Sequence, residues 1–476
     1  MTGRSKKVRP VFLGIFLIFG VFVAGIGCLA GEVFDVRTFG AKGDGKADDT
    51  AAIQAAINAC FEAGGGTVYN GAGQYLCTSL RLKSHLRLFL DAGATLVSIP
   101  DESAYAGLAR CLLVASDAED ITVEGPGGMR GTGSGPLGRL ADGSDLPIPA
   151  FRLGILRFEN CKNVVLRGFK VFDSDSWTIH LRFCENVLVD GLTILNHYYH
   201  TNSDGIDPVS CRNVRIANCH IVAGDDCIVL KTADRRPCES VVVTNCTLET
   251  VATAVKLGTE SSGDFRNVHV ANCSIRNSTV GIGLYMKDGG TMERISFSQI
   301  DIENPVPRGL TNVERSMFPI FVDIERRSPD SAIGRIRDLT FSDITITSGV
   351  GALIQGMPES PIENLVLRNI TFRVREPVDQ SKRRKHIGGR RTTSDARDTQ
   401  FSTLPSYFTV AYARHIHVGG LRVFIDQDSF KAFPRAAFHA AFVEGCWLQD
   451  ILREPDEAEA LPRVIFRECT GVKFAE

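Results

Sequence analysis

Apolar and polar residues alternate along most of this chain in short bursts, each closed by asparagine, aspartate, serine or glycine. Alternation of period two predicts half-buried β-strands, because successive side chains point to opposite faces. The bursts also repeat. Cys161-Lys-Asn-Val-Val-Leu-Arg-Gly, Cys184-Glu-Asn-Val-Leu-Val-Asp-Gly, Cys211-Arg-Asn-Val-Arg-Ile-Ala-Asn, Cys238-Glu-Ser-Val-Val-Val-Thr-Asn, Phe265-Arg-Asn-Val-His-Val-Ala-Asn and Met292-Glu-Arg-Ile-Ser-Phe-Ser-Gln share one pattern, and their starts are 23, 27, 27, 27 and 27 residues apart. Weaker copies begin at Ala118, Ile336, Ile362 and Ala413, and a last one is Arg463-Val464-Ile465-Phe466. A unit this short cannot bury its own core, so the units must stack and share one. An all-β, single-stranded right-handed parallel β-helix meets this pattern, with strands about 4.8 Å apart. Propeller blades are longer, at ~40 residues, and leucine-rich repeats need a different leucine spacing.

The N-terminal part differs. Ala51 to Cys60 carries apolar residues at helical spacing behind the N-cap candidates Asp48, Asp49 and Thr50, and Gly64-Gly65-Gly66 stops the helix. Short strands follow at residues 67–69, 74–76, 80–82 and 86–90. This helix is expected to cap the open end of the solenoid.

The repeat changes the meaning of the 14 cysteines. Cys219, Cys246 and Cys273 are 27 residues apart, as are Asn218, Asn245 and Asn272. Equivalent positions form ladders, and thiols at one ladder position are expected as small apolar core fillers rather than disulfides. For Cys60, Cys77, Cys111, Cys446 and Cys469 the sequence leaves pairing open.

Two segments fall outside the pattern. Residues 1–31 read as an export signal, with Arg4, Lys6, Lys7 and Arg9 ahead of the apolar run Val11–Gly27 and small residues at Cys28-Leu29-Ala30. That run has 17 residues, the short limit for a spanning helix, so an uncleaved anchor is the alternative. Residues 32–476 are then the β-helix. Residues 375–402, with Lys382-Arg383-Arg384-Lys385, Arg390, Arg391 and Arg397, read as a long basic loop inserted in it. Over all 476 residues the formal charge is only −2, which gives no bulk attraction to nucleic acid. The protein is expected to be exported (secreted, periplasmic or cell-surface) and monomeric.

The candidate chemistry lies between Asn202 and Lys231. Asn202-Ser203-Asp204-Gly205-Ile206-Asp207 and Gly224-Asp225-Asp226-Cys227 place four carboxylates within 23 residues. Aligning the apolar runs sets residues 205–208 on 227–230, then on 254–257, then on 281–284. Asp204 then stacks beside Asp226, Asp225 sits at the same turn, and Asp207 is expected on the face of Asp204, with Lys256 at its level. Like charges this close should raise at least one pKa, which gives a general acid beside a carboxylate base. Glycoside hydrolysis needs that division. Calcium binding and plain turn chemistry stay open on spacing alone.

These two motifs, on a repeat of this length, resemble glycoside hydrolase family 28, the polygalacturonases and rhamnogalacturonan hydrolases. Phe39-Gly40-Ala41-Lys42-Gly43-Asp44-Gly45 with Asp48-Asp49-Thr50, and Ser176-Trp177-Thr178-Ile179-His180, resemble the same superfamily, and the likeness covers about residues 33–475. It implies a pectin-lyase-like β-helix that cleaves a pectin-like polysaccharide with inversion. Asp225 would be the general acid, and Asp204 and Asp226 the pair that holds and deprotonates water, with no cofactor or metal. Two departures stand out. Ala252-Thr253-Ala254 replaces the family's Gly-His-Gly, and Tyr285-Met286-Lys287 replaces its Arg-x-Lys, so a bidentate carboxylate clamp becomes a point charge. Asp207, Lys256, Tyr285 and Lys287 are the substrate-binding candidates, and Lys231, Lys256 and Arg235 are candidates for the missing cation. The segments 196–200 and 308–317, with Tyr198, Tyr199, His180 and His200, are candidates for the cleft border. A lyase or epimerase on the same scaffold, or a non-catalytic carbohydrate-binding β-helix, is the alternative.

Overall fold

The computed structural model describes residues 1–3, 31–105, 110–133, 152–304, 317–378, 401–457 and 461–475. Residues 4–30 of the expected export signal, residues 379–400 of the basic loop and residues 308–316 of the expected cleft border lie outside them. Contacts divide the chain into Met1–Gly31 and Glu32–Glu476. The second unit is a right-handed parallel β-helix.

Each coil pairs in parallel with the coils on either side. Val164 pairs with Val187, Val187 with Val214, Val214 with Val241, Val241 with Val268, and Val268 with Ile295. All are buried, at about 1.5–3 kcal/mol for each fully buried side chain. This column is the apolar position of the sequence repeat. One continuous core results, because every coil supplies the same inward positions to its neighbours.

The recurring asparagines make the corners. Asn186, Asn213, Asn218, Asn245 and Asn272 have φ values of 57°, 56°, 58°, 55° and 53°. Left-handed backbone costs most L-residues about 1–2 kcal/mol, and asparagine tolerates it best after glycine. Their amides also join coil to coil. Asn213 Nδ2 donates to Asn186 Oδ1 at 3.1 Å, Asn245 Nδ2 to Asn218 Oδ1 at 3.2 Å, and Asn272 Nδ2 to Asn245 Oδ1 at 2.5 Å.

The thirteen described cysteines are free thiols, and all but Cys469 are buried. In the column Cys219, Cys246 and Cys273, each Sγ lies 3.2–3.3 Å from a carbonyl of its own coil. They fill core space, as their spacing suggests, and Cys60, Cys77, Cys111, Cys446 and Cys469 are unpaired as well.

The helix Thr50–Glu62 buries Ile53, Ala56, Ile57 and Cys60. It lies against the strands Val33–Asp35 and Gly66–Asn70 and covers the first coil. Asp49 holds the N-cap position, but its carboxylate accepts from Lys42 N (2.6 Å) and Gly43 N (2.9 Å) instead of from the helix. Asp48 accepts from Thr50 N at 2.9 Å. Among the described residues no helix is long and apolar enough to cross a membrane.

Asn245→Ala should lower the free energy of unfolding by ~1–2 kcal/mol, and Asn245→Gly should cost less, because glycine accepts positive φ. Urea unfolding of the two variants checks this. Equal losses would place the effect in the amide ladder and not in the backbone.

Candidate active site

The acids are delivered by the start of one strand column. Ile179 pairs with Ile206, Ile206 with Ile228, Ile228 with Val255, and Val255 with Ile282. Asp204 and Asp226 each lie two residues before a paired isoleucine, so they sit one coil apart. The coils come close here because glycine lets them. A Cβ on Gly205 would be 2.4 Å from Cys227 O, and one on Gly224 would be 2.3 Å from His200 O.

Oxygens from Asp204, Asp225 and Asp226 all lie within 4.8 Å of one another. Asp204 is 3% exposed and Asp226 2%. Asp225 is half-buried, so it is the acid that faces outward. Its Oδ2 accepts from Asn202 N at 3.1 Å and Asn202 Nδ2 at 3.3 Å, and its Oδ1 from Asp226 N at 3.1 Å. Asp226 Oδ2 accepts from Lys256 Nζ at 2.6 Å, and its Oδ1 from Thr253 N at 3.2 Å.

Behind these acids lies a second, deeper ion cluster. Lys231 Nζ is 2.6 Å from Asp207 Oδ1 and 3.4 Å from Asp204 Oδ2, and 3.3 Å from the centre of the Trp177 ring. Residues three apart on a regular strand face opposite ways. Asp204 and Asp207 meet only because the chain bends at Gly205 before the strand Ile206–Val209 begins. One buried lysine between two buried carboxylates leaves a negative charge uncompensated, so a proton on the pair is favoured. Burial, then repulsion from Asp207, holds the Asp204 carboxyl well above the usual range, against the pull of Lys231. Burial raises Asp207 to about 6, again against Lys231. Burial alone would lower both lysines, but Asp207 and Asp204 raise Lys231, and Asp226 and Asp225 raise Lys256.

The other expected residues are enclosed. Asp207 is fully buried, Tyr285 is 1% exposed and Lys287 3%. Lys287 pairs with buried Glu325. Tyr285 packs on Phe321, with ring centres 5.4 Å apart, its hydroxyl 3.4 Å from Thr253 Oγ1 and its ring centre 5.4 Å from Lys256 Nζ. Lys256 keeps a small exposed edge. Lys231, a candidate for an open cation, is instead buried against the acids, whereas Arg235 is exposed on a turn. His180 meets Trp177 edge-on at 4.8 Å and is pushed down to about 3, by burial first and then by Arg157 and Lys231. His200 is buried, with Nδ1 3.2 Å from Ser174 O. Tyr198 donates to Asn277 O, and its ring meets Tyr199 edge-on.

Sequence reasoning passed over Arg152, whose Nη1 donates to Asn202 Oδ1 at 2.8 Å across 50 residues. No periodicity signals that contact. The place of Lys231 had a signal, since the strand register sets it opposite Val209, two positions past Asp207.

The folded-state carboxyls of Asp204 and Asp207 lie above their ordinary values, so the folded protein holds protons that the unfolded chain has released. Stability should therefore fall as pH rises from about 4 to about 6. In Asp207→Asn that fall should shrink. Urea midpoints measured across this range check the slope, and an unchanged slope would remove Asp207 as its source.

Residues 100–382, more than half of the chain, match the model of glycosyl hydrolases family 28, and residues 33–98 match that of rhamnogalacturonase A/epimerase, pectate lyase-like proteins. A probable polygalacturonase of Vitis vinifera is 30% identical over 213 residues, 41% of this chain and 43% of that protein. Another from Arabidopsis thaliana is 31% identical over 222 residues, 46% of each. The chain thus spans less than half the length of these curated relatives. A hyperthermoactive exopolygalacturonase from Thermotoga maritima superposes with a TM-score of 0.61 at 22% identity, covering 72% of this chain and 87% of that one. A family 28 exopolygalacturonase from Yersinia enterocolitica superposes with a TM-score of 0.56 at 16% identity, covering 94% and 77%. These likenesses show the fold. With the family match extending over more than half its length, this chain belongs to glycosyl hydrolases family 28.

Proposed function

We propose that the protein is an exported hydrolase that cleaves glycosidic bonds of a pectin-like polysaccharide, a galacturonan or rhamnogalacturonan, with inversion at the anomeric carbon. One observation carries this reading. Three carboxylates share a patch within 4.8 Å, one facing outward and two set deep, each deep one bonded to a lysine.

Asp225, the outward-facing acid, gives a proton to the glycosidic oxygen. As the bond to the leaving sugar breaks, water held by Asp204 and Asp226 attacks the anomeric carbon from the other side and loses its proton to that pair. Lys256 offsets the charge of Asp226. Asp207, through Lys231, supports Asp204 from beneath, and Tyr285 and Lys287 shape the floor without reaching the surface.

Inverting glycosidases usually separate their carboxyls by ~6.5–9.5 Å and retaining ones by ~5–5.5 Å, and here oxygens approach within 4.8 Å. Inversion is proposed nonetheless. A covalent sugar ester needs an oxygen that a ring carbon can reach. Asp204 and Asp226 are 3% and 2% exposed and already bonded to lysines. Holding a water is a smaller demand.

The same three oxygens are also spaced to hold a divalent cation, as a lyase or epimerase would require. Two ammonium groups beside them argue against it, since they repel a further cation.

Incubation with pectic polymers should release new reducing ends without an ultraviolet-absorbing unsaturated product, and chelator should not change the rate. NMR of the first product should show inverted configuration. Asp225→Asn should lower kcat by ~10²–10⁴ while leaving the thermal midpoint nearly unchanged. Unsaturated products would replace hydrolysis with elimination, and retained configuration would overturn the water-holding roles of Asp204 and Asp226.

A further inference from the structure

We propose that Arg152 is a positioning residue for Asp225, acting through the amide of Asn202. The catalytic consequence rests on the reading of Asp225 as the general acid.

The logic begins with donor and acceptor inventories. An arginine side chain only donates, and an asparagine amide offers an oxygen at one end and an NH₂ at the other. The amide atom 2.8 Å from Arg152 Nη1 must therefore be Oδ1. The amide cannot turn over without aiming its NH₂ at a guanidinium. With Oδ1 fixed on Arg152, Nδ2 is fixed on Asp225, 3.3 Å from Oδ2. The backbone N–H of Asn202 reaches the same oxygen at 3.1 Å. Both N–H groups of Asn202 thus converge on Oδ2, while Oδ1 accepts from Asp226 N at 3.1 Å. Together these bonds hold the orientation of the Asp225 carboxyl group.

Arg152 also holds the backbone of the turn, through Nη1 to Thr201 O at 3.4 Å. The far side of the turn is fixed separately. Asn196 Nδ2 donates to Ser203 O at 3.0 Å and to Thr178 Oγ1 at 2.8 Å, and Ser203 Oγ donates to His200 O at 2.7 Å. Those bonds keep the loop folded when Arg152 is changed. What Arg152 adds is the direction of one amide. Without it, the Asn202 side chain can present Oδ1 to the Asp225 carboxylate, which repels it and turns the carboxyl group.

The test compares Arg152→Met, which keeps the apolar stem, with Arg152→Lys, which keeps a donor for Asn202 Oδ1. On pectic oligomers, Arg152→Met should lower kcat by roughly 100-fold, the cost of a misaimed catalytic group, with KM within about twofold. Arg152→Lys should recover most of that loss. A second measurement needs no turnover. In protein labelled with ¹⁵N-asparagine, the Asn202 side-chain NH₂ pair is identified by its disappearance in Asn202→Asp. It should be protected from solvent exchange in the unsubstituted protein and in Arg152→Lys, and unprotected in Arg152→Met. Unchanged kcat in Arg152→Met, an Arg152→Lys as slow as Arg152→Met, or amide protection that survives Arg152→Met would each overturn the proposal. If the unsubstituted protein cleaves no pectic glycan, the hydrolase reading fails, while the amide exchange still decides whether Arg152 orients Asn202.

Discussion

Parallel stacking of coils about 4.8 Å apart is the constraint on which everything else here depends. It turns a sequence repeat into columns of identical environments. Columns of valine and isoleucine make the core, a column of thiols fills part of it, and asparagines turn the corners. The same stacking places Asp204 next to Asp226, because two adjacent coils begin their strands at the same height. Glycines at 205 and 224 are needed there, since any Cβ would strike the neighbouring backbone. The site is therefore a property of the column, and no single loop builds it.

Burying Asp204, Asp207 and Asp226 beside Asp225 is costly unless charge is returned to them. The structure returns it with two lysines. Lys256 faces Asp226, and Lys231 is shared by Asp204 and Asp207. The sharing is uneven. Two acids on one lysine retain a preference for a proton, while Asp225, at the outer edge, accepts from the N–H groups of Asn202 and Asp226. The replacement of histidine and arginine by Thr253 and Tyr285 belongs to the same pattern. Thr253 N and Lys256 hold Asp226, and Tyr285 walls off the lysine.

Much of the architecture was legible because periodicity is a local property of the chain. A 27-residue repeat with alternating valines admits few folds. The register it implied, residues 205–208 on 227–230 and then 254–257, is the register seen. That register was enough to bring Asp204, Asp225 and Asp226 together on paper. It was not enough to orient side chains. Asp207 was expected on the face of Asp204, but residues three apart on a strand face opposite ways, and the two meet only through the bend at Gly205. Tyr285 and Lys287 were read as groups available to substrate, and both lie inside the protein.

The sequence by itself determined the coil, its register and the neighbourhood of the acids, because each follows from spacing along one chain. Only the tertiary structure decided which acid faces outward, which lysine faces which acid, and that Arg152 reaches Asn202. Those outcomes depend on bends at glycine, on packing depth and on contacts between segments 50 residues apart, and no local pattern encodes them. The asymmetry among three chemically identical carboxylates is thus a product of burial and partners, which exist only once the coils have stacked.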